Sequence, residues 1–233
     1  MKRLAIIPAR GGSKRIPRKN IKLFRGVPII SYSIRLAQES GLFDEVMVST
    51  DDLEIAEIAR QFEASVPFLR SKQNASDFAT TFDVISEVIN EYKNLEDNFY
   101  QAACIYPAAP FITVELLKKA CKRLEKENLD CVFPAVQFNY PIQRSFRLKK
   151  HGRMEMFQPE HLLTRSQDLE KAYHDSGQFY FFNVKRLMKA GKLWTHNTGV
   201  IVISNMLAQD IDEENDWEMA EFKYDYLEKL GKL

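Results

Sequence analysis

The sequence is short of the residues that would make it a disulfide scaffold, a zinc protein or a membrane span. Cys104, Cys121 and Cys131 are the only cysteines among 233 residues. An odd number without a C-x-x-C pair excludes a disulfide framework and predicts reduced, partly buried thiols. His151, His161, His174 and His196 show no H-x-x-H or H-x-x-x-H spacing, which argues against zinc. His174 precedes Asp175, which invites a base–carboxylate reading, but neighbours on an extended chain point apart, which argues against it. No apolar run approaches the roughly 20 residues a bilayer requires. The first run, Leu4 to Ile7, stops at Pro8, too short for the core of a secretion signal, so a cytoplasmic protein is expected. Excess charge of one sign is also missing: 33 Lys and Arg against 32 Asp and Glu leave +1. Without a global field, and without aromatic residues interleaved among the cations, nucleic-acid binding has little support. Internal repeats and low-complexity segments are absent.

Charge is nonetheless unevenly placed. Ten cations, from Lys2 to Arg35, precede the first acid, Glu39. A cationic cluster unopposed in sequence attracts an anion.

Hydrophobic patterning predicts an α/β chain long enough to bury a large core. Leu4 to Ile7 reads as a central strand buried on both faces. A helix follows from Pro28, with Gly41 placed as its terminator. Glu45 to Thr50, Val66 to Leu69, Ala102 to Tyr106 and Cys131 to Val136 read as further strands. Helices intervene after Asp51 or Asp52, from Thr81 to Tyr92, and after Thr113 to Leu124. This alternation predicts a doubly wound, mainly parallel sheet. The rhythm breaks after Phe138. We therefore expect a core over residues 1–138, an inserted arm over 139–175, and completion of the core over 176–233. Phe179 to Asn183 and Val200 to Ile203 are predicted strands of that last part, and an amphipathic helix spans Glu213 to Leu227.

The strongest chemical signal is the loop Pro8 to Asn20, directly after the first strand. Ligands of open α/β sheets bind at the carboxyl ends of the strands. Gly11 and Gly12 let backbone N–H groups approach a ligand. Arg10 offers a planar fork to phosphate oxygens, and Lys14 and Lys19 offer point charges. A triphosphate needs this combination, although a solvated basic loop has the same composition. Neither G-x-x-x-x-G-K-[ST] nor G-x-G-x-x-G is present.

Asp210-Ile-Asp212 is the second signal. Residues two apart on an extended segment share a face, and paired carboxylates suit Mg²⁺. The same acids also precede a helix, whose amino end favours negative charge; composition fits both readings. Asp51 and Asp52 are read as structural, at least one of them a helix cap. Thr80 and Thr81 fit a cap and a ligand contact equally.

Ile7-Pro-Ala-Arg-Gly-Gly-Ser-Lys-Arg-Ile-Pro-Arg-Lys-Asn20 resembles the signature loop of the acylneuraminate cytidylyltransferases, the CMP-sialic acid synthetase family. Val48-Ser-Thr-Asp-Asp52, Phe68-Leu-Arg-Ser71, Tyr106-Pro-Ala-Ala-Pro110 and Gln209-Asp-Ile-Asp-Glu213 extend the likeness over nearly the whole chain. Phe138 to Arg144, Thr164 to Asp168 and Tyr173 to Tyr180 look like the branch that acts on pseudaminic acid. Two segments depart from the sialate pattern, Tyr106-Pro-Ala-Ala-Pro110 and Asp175-Ser-Gly-Gln178. The neuraminate or legionaminate enzyme is the alternative within the family, and a nucleotide-sensing module without catalysis is the alternative outside it. Retention of both Asp210 and Asp212 argues against the module.

The resemblance implies a Rossmann-like nucleotidyltransferase fold and transfer of CMP from CTP to a nonulosonic acid, with release of pyrophosphate. It implies that Ala9, Arg10, Gly11, Gly12, Ser13, Lys19, Asn20, Arg70, Ser76, Asp77 and Thr80 bind CTP. It places catalysis on Arg10, Lys14, Lys19, Asp210 and Asp212, with Mg²⁺ on the last two. Tyr106, Gln143, Arg165, Gln178, Tyr180 and Phe182 are expected at the sugar. The arm is expected to cross to a second subunit, giving a homodimer with shared sites. No side chain stands out as a general base.

Overall fold

Apolar runs without alternation become the middle of a sheet covered on both sides. The computed structural model describes residues 2–233. Strand β1 (Arg3–Pro8) buries Leu4 to Ile7 completely and pairs in parallel with β4 (Glu45–Ser49) on one side and β5 (Gln101–Ile105) on the other. Strands β6 (Cys131–Gln137) and β11 (Thr198–Ile203) are parallel to each other. Between these parallel groups lies β10 (Phe179–Asn183), antiparallel to both β5 and β6. The order is β11-β6-β10-β5-β1-β4, and β9 (Tyr173–Asp175) also pairs antiparallel with β6. The sheet is thus mixed around a parallel core. A parallel neighbour requires a crossover that carries the chain back to the other end of the sheet. The chain instead re-enters from residues 139–172, which follow the carboxyl end of β6, so the next strand runs back down.

Alternate β1 residues face opposite layers. Ala5 and Ile7 join the cluster formed with α1 (Ile30–Glu39), α2 (Leu53–Gln61) and α4 (Val114–Lys126). Leu4 and Ile6 join the other, with α3 (Thr81–Asn94) and α5 (Val184–Ala190). Helix starts follow side-chain caps: Asp52 for α2, Thr80 for α3 and Thr113 for α4 each accept from the first turn. Gly41 follows α1 at φ +62°, the left-handed turn expected of it.

The strand expected at Val66 to Leu69 does not form. Ser65 makes a single parallel bridge to Met47, and Arg70 N–H reaches Thr50 O at 2.8 Å. Pro67 in between has no N–H to give, and the segment passes the sheet edge as a loop.

A third cluster ties the ends of the chain together. It joins Ile16 of the basic loop, Phe24 of the hairpin β2 (Leu23–Phe24) and β3 (Val27–Pro28), Ile211 of the acidic doublet, and Trp217, Ala220 and Leu227 of α6 (Glu214–Lys229). Residues 139–172 leave the sheet. They contain the small hairpin β7 (Phe146–Leu148) and β8 (Met154–Met156) and expose Tyr140, Phe146, Leu148, Phe157 and Leu163.

Candidate active site

A cleft of about 600 Å³ opens above the carboxyl ends of β1 and β5. The sheet's winding reverses there, because β1 is flanked by β4 on one side and β5 on the other. Its walls bring together Arg10, Ser13, Lys14, Lys19 and Asn20 from the basic loop with Asp210 and Asp212 from near the other end of the chain. Arg70, Ser76, Asp77 and Thr80 line it too, as do Tyr106 and Tyr180.

The junction of the two charged loops has an apolar cause. Ile16 and Ile211 are 1 % and 2 % exposed and enter one core cluster. Burial of the central isoleucine of Asp-Ile-Asp turns the flanking carboxylates outward. Lys19 then spans the junction: its Nζ donates to Ile211 O at 2.6 Å and lies 3.6 Å from Asp212 Oδ1. Arg15, which motif reasoning passed over among its basic neighbours, pairs with the same Asp212 oxygen at 2.7 Å.

Within the loop, buried Asn20 donates from Nδ2 to Arg10 O at 3.0 Å and holds the turn closed. Gly11 is small for a protein reason as well as a ligand one. A Cβ there would stand 2.6 Å from Asp52 Oδ2, and its N–H already donates to Asp51 Oδ1 at 3.0 Å. Gly12 has open space around it. Asp51 and Asp52 are structural, as expected. Asp52 caps α2 and receives a two-pronged pair from Arg18, which together with those backbone N–H groups hold its carboxyl at about 2.

Asp210 opens to the cleft's solvent, yet desolvation by the surrounding walls, and next the like charge of Asp212, push its carboxyl above the usual range. A divalent cation would relieve both effects. Among the described residues no group of three histidines, thiols or carboxylates gathers. Two carboxylates with substrate phosphates to complete the shell are what Mg²⁺ takes, so the residues fit it.

On the opposite wall Arg70 is 7 % exposed, and its guanidinium donates to Ser49 Oγ at 3.0 Å and to Ser49 O. Burial pulls its pKa down. A buried cation whose hydrogen bonds go to neutral acceptors suits a polar ligand group. Tyr106 Oη meets Thr81 Oγ1 at 2.7 Å, and burial pushes its phenol up to about 12. Burial, then the Tyr106 hydroxyl, push Tyr180 up as well. Tyr180 donates to Asp175, whose other oxygen accepts from Gly177 N–H at 2.9 Å. Asp175 and Gly177 line the cleft. They fall in Asp175-Ser-Gly-Gln178, the segment that departs from the sialate pattern, and an Asx turn just ahead of the aromatic strand is a local signal that would single them out.

Gly11 and Gly12, within the basic loop, do not line the cleft, and five further expected residues lie elsewhere. Ala9 is fully buried, its N–H spent on Ser49 O. Phe182 is fully buried between Ala102 and Cys131 in register, and is core packing rather than a sugar contact. It does share a face with Tyr180, but one residue pair deeper along the strand. Gln178 is 2 % exposed and turns its Nε2 to Leu207 O. Gln143 and Arg165 stand in the arm, donating to Glu170 O at 2.9 Å and Asp168 Oδ2 at 2.6 Å, outside this chain's cleft.

A family model described as Cytidylyltransferase matches residues 4–232. A pseudaminic acid cytidylyltransferase of Campylobacter jejuni is 42% identical over 224 residues, 96% of this chain and 97% of that protein. A CMP-N,N'-diacetyllegionaminic acid synthase of Legionella pneumophila is 28% identical over 225 residues, 95% of each chain. The solved structure of a CMP:2-keto-3-deoxy-manno-octonic acid synthetase complexed with CTP superposes with TM-score 0.69 at 16% identity, covering 97% of this chain and 99% of that one, and shares the fold.

Proposed function

The chain belongs to the cytidylyltransferase family, and from that premise we propose that it transfers CMP from CTP to pseudaminic acid with release of pyrophosphate. The observation that carries the reading is the meeting of the basic loop with the acidic doublet, closed by Lys19 on Ile211 O at 2.6 Å. The likeness to the Campylobacter pseudaminic acid enzyme at 42% identity supports the choice of sugar. Tyr106 and Tyr180, with Asp175 behind Tyr180, supply hydroxyl and carboxylate partners suited to a polyhydroxylated, acylated acid.

In this reading Arg10, Lys14 and Lys19 hold the triphosphate and stabilise the charge that gathers on departing pyrophosphate. Gly12 leaves room for a phosphate beside the backbone. Arg70 and the Thr80–Thr81 turn serve the cytidine. Asp210 and Asp212 would hold Mg²⁺, which supplies polarisation of the attacked phosphate and orientation of the groups around it. The loop's cations and the walls of the cleft align the sugar's anomeric hydroxyl with the α-phosphorus, a gain of positioning rather than of acid–base chemistry.

Gln143 and Arg165 reach a sugar only if the arm of one subunit enters the cleft of another. The apolar side chains exposed on the arm favour such a homodimer. Among the described residues no helix is long and apolar enough to cross a membrane, and a cytoplasmic setting suits a CTP-consuming enzyme.

Pyrophosphate release, measured with CTP, Mg²⁺ and a panel of nonulosonic acids, tests the proposal. Release should be fastest with pseudaminic acid and should vanish in Asp212→Asn while the fold persists. CTP binding without release on any acid would instead identify a sensing module.

A further inference from the structure

Two like charges on an irregular segment need outside support to stay in place, and here it comes from α6. Lys223 Nζ donates to Gln209 Oε1 at 2.9 Å, to Ala208 O at 3.0 Å and to Asn205 O at 3.4 Å. All three acceptors are uncharged, and all three lie on the segment that leads into Asp210. With its oxygen taken by Lys223, the Gln209 amide points its nitrogen at Asp210 O, 3.2 Å away, and at Asp216 Oδ1, 3.5 Å away. The second oxygen of Asp216 accepts from the N–H groups of Asp212 at 3.0 Å and Glu213 at 2.9 Å. A continuous run of hydrogen bonds therefore links a lysine outside the cleft lining to the backbones of both cleft acids.

We propose that Lys223 is a positioning residue for the acidic doublet. It grips residues 205–209 and, through Gln209 and Asp216, sets where Asp210 and Asp212 present their carboxylates. The inference rests on the reading above, in which those acids serve the nucleotide and a divalent ion. Supports of this kind, one step removed from the ligating atoms, govern ligand orientation without touching the ion.

The test uses Lys223→Met, which keeps the stem and removes the donors, Lys223→Arg, which keeps charge and donors, and Gln209→Leu, which removes the bridge without altering α6. Backbone amide exchange over 205–212 and Mn²⁺ affinity with CTP present, followed by electron paramagnetic resonance, are measured on each intact protein. Lys223→Met and Gln209→Leu should speed exchange in 205–212 alone and weaken Mn²⁺ by about ten-fold; Lys223→Arg should restore both toward wild type. Wild-type exchange in 205–212 for Lys223→Met, or faster exchange throughout the molecule, overturns the proposal. If Lys223→Met fails to fold, Gln209→Leu carries the same two readouts. Absence of Mn²⁺ binding in the wild type would overturn the metal reading instead, and the exchange result would still decide the role of Lys223.

Discussion

The carboxylate of Asp77 accepts from the Arg10 guanidinium at 2.7 Å, and Lys14 closes on its other oxygen at 2.5 Å. The hydrogen bonds from Lys14 and then Arg10 hold the Asp77 carboxyl below its ordinary range. Two cations assigned to a triphosphate thus share one carboxylate that mimics it. In the proposed function a triphosphate would have to take them from Asp77, which costs something even at an exposed pair. Asp77→Asn should therefore tighten inorganic pyrophosphate binding about two- to five-fold, the small scale of exposed ion pairs, as read by titration calorimetry. Weaker binding would mean that Asp77 arranges the cations rather than competing for them.

Lys19 is the better sheltered cation, with its side chain 23% exposed. It touches both loops of the site, so its removal would take away the proposed phosphate donor and the tie to Ile211 together. Lys19→Ala should lower kcat/KM by roughly 10²- to 10³-fold, the loss expected for one preorganised donor, while thermal unfolding stays cooperative. An unaltered rate of pyrophosphate release would move the phosphate site elsewhere.

Thr80 can be separated into its two readings. It completes a reciprocal capping box with Asp83: Asp83 N–H donates to Thr80 Oγ1 at 3.2 Å, and Thr80 N–H donates to Asp83 Oδ2 at 2.8 Å. Thr80→Ala should cost about 1 kcal/mol of stability in urea unfolding. If capping is its whole contribution, KM for CTP stays within two-fold; a larger rise would mark a contact with the nucleotide.

What could be read from the sequence followed the physics that acts locally. All-apolar runs marked β1, β5 and β6, and short polar residues marked the cap at Thr113 and narrowed two others to the pairs Asp51–Asp52 and Thr80–Thr81, because burial and first-turn N–H groups make demands visible over a few residues. The meeting of Lys19 with Ile211, 192 positions apart, was reachable only through family resemblance. Its physical agent, the burial of Ile16 and Ile211 in one cluster, depends on tertiary packing. Alternation along β10 puts Tyr180 and Phe182 on one face but does not say how deep in the sheet each lies. The antiparallel course of β10 was hidden for a similar reason: direction is set by the end of the sheet at which the arm releases the chain. Lys223 carries no motif at all. A lysine on an amphipathic helix reads as solvent-facing until its acceptors are known.

Asp52 should leave a signature in the acid limb of the stability curve. Its carboxyl titrates at about 2 in the fold against an ordinary 3.8, chiefly because Arg18 donates to it. A depressed folded pKa means the unfolded chain takes the proton first. The stabilisation is therefore complete above about pH 4 to 5 and is lost as pH falls through 2. Asn is nearly as good a helix cap as Asp, so Asp52→Asn removes the charge while keeping the cap. The full shift is discounted because the Asp52 and Arg18 side chains are 22% and 37% exposed. At pH 7 the variant should be less stable by on the order of 1–2 kcal/mol. Urea unfolding from pH 7 down to pH 2 should show the two proteins converging as the wild type loses its advantage. A gap that persists unchanged at pH 2 would mean that cap geometry, rather than the pair with Arg18, carries the stabilisation.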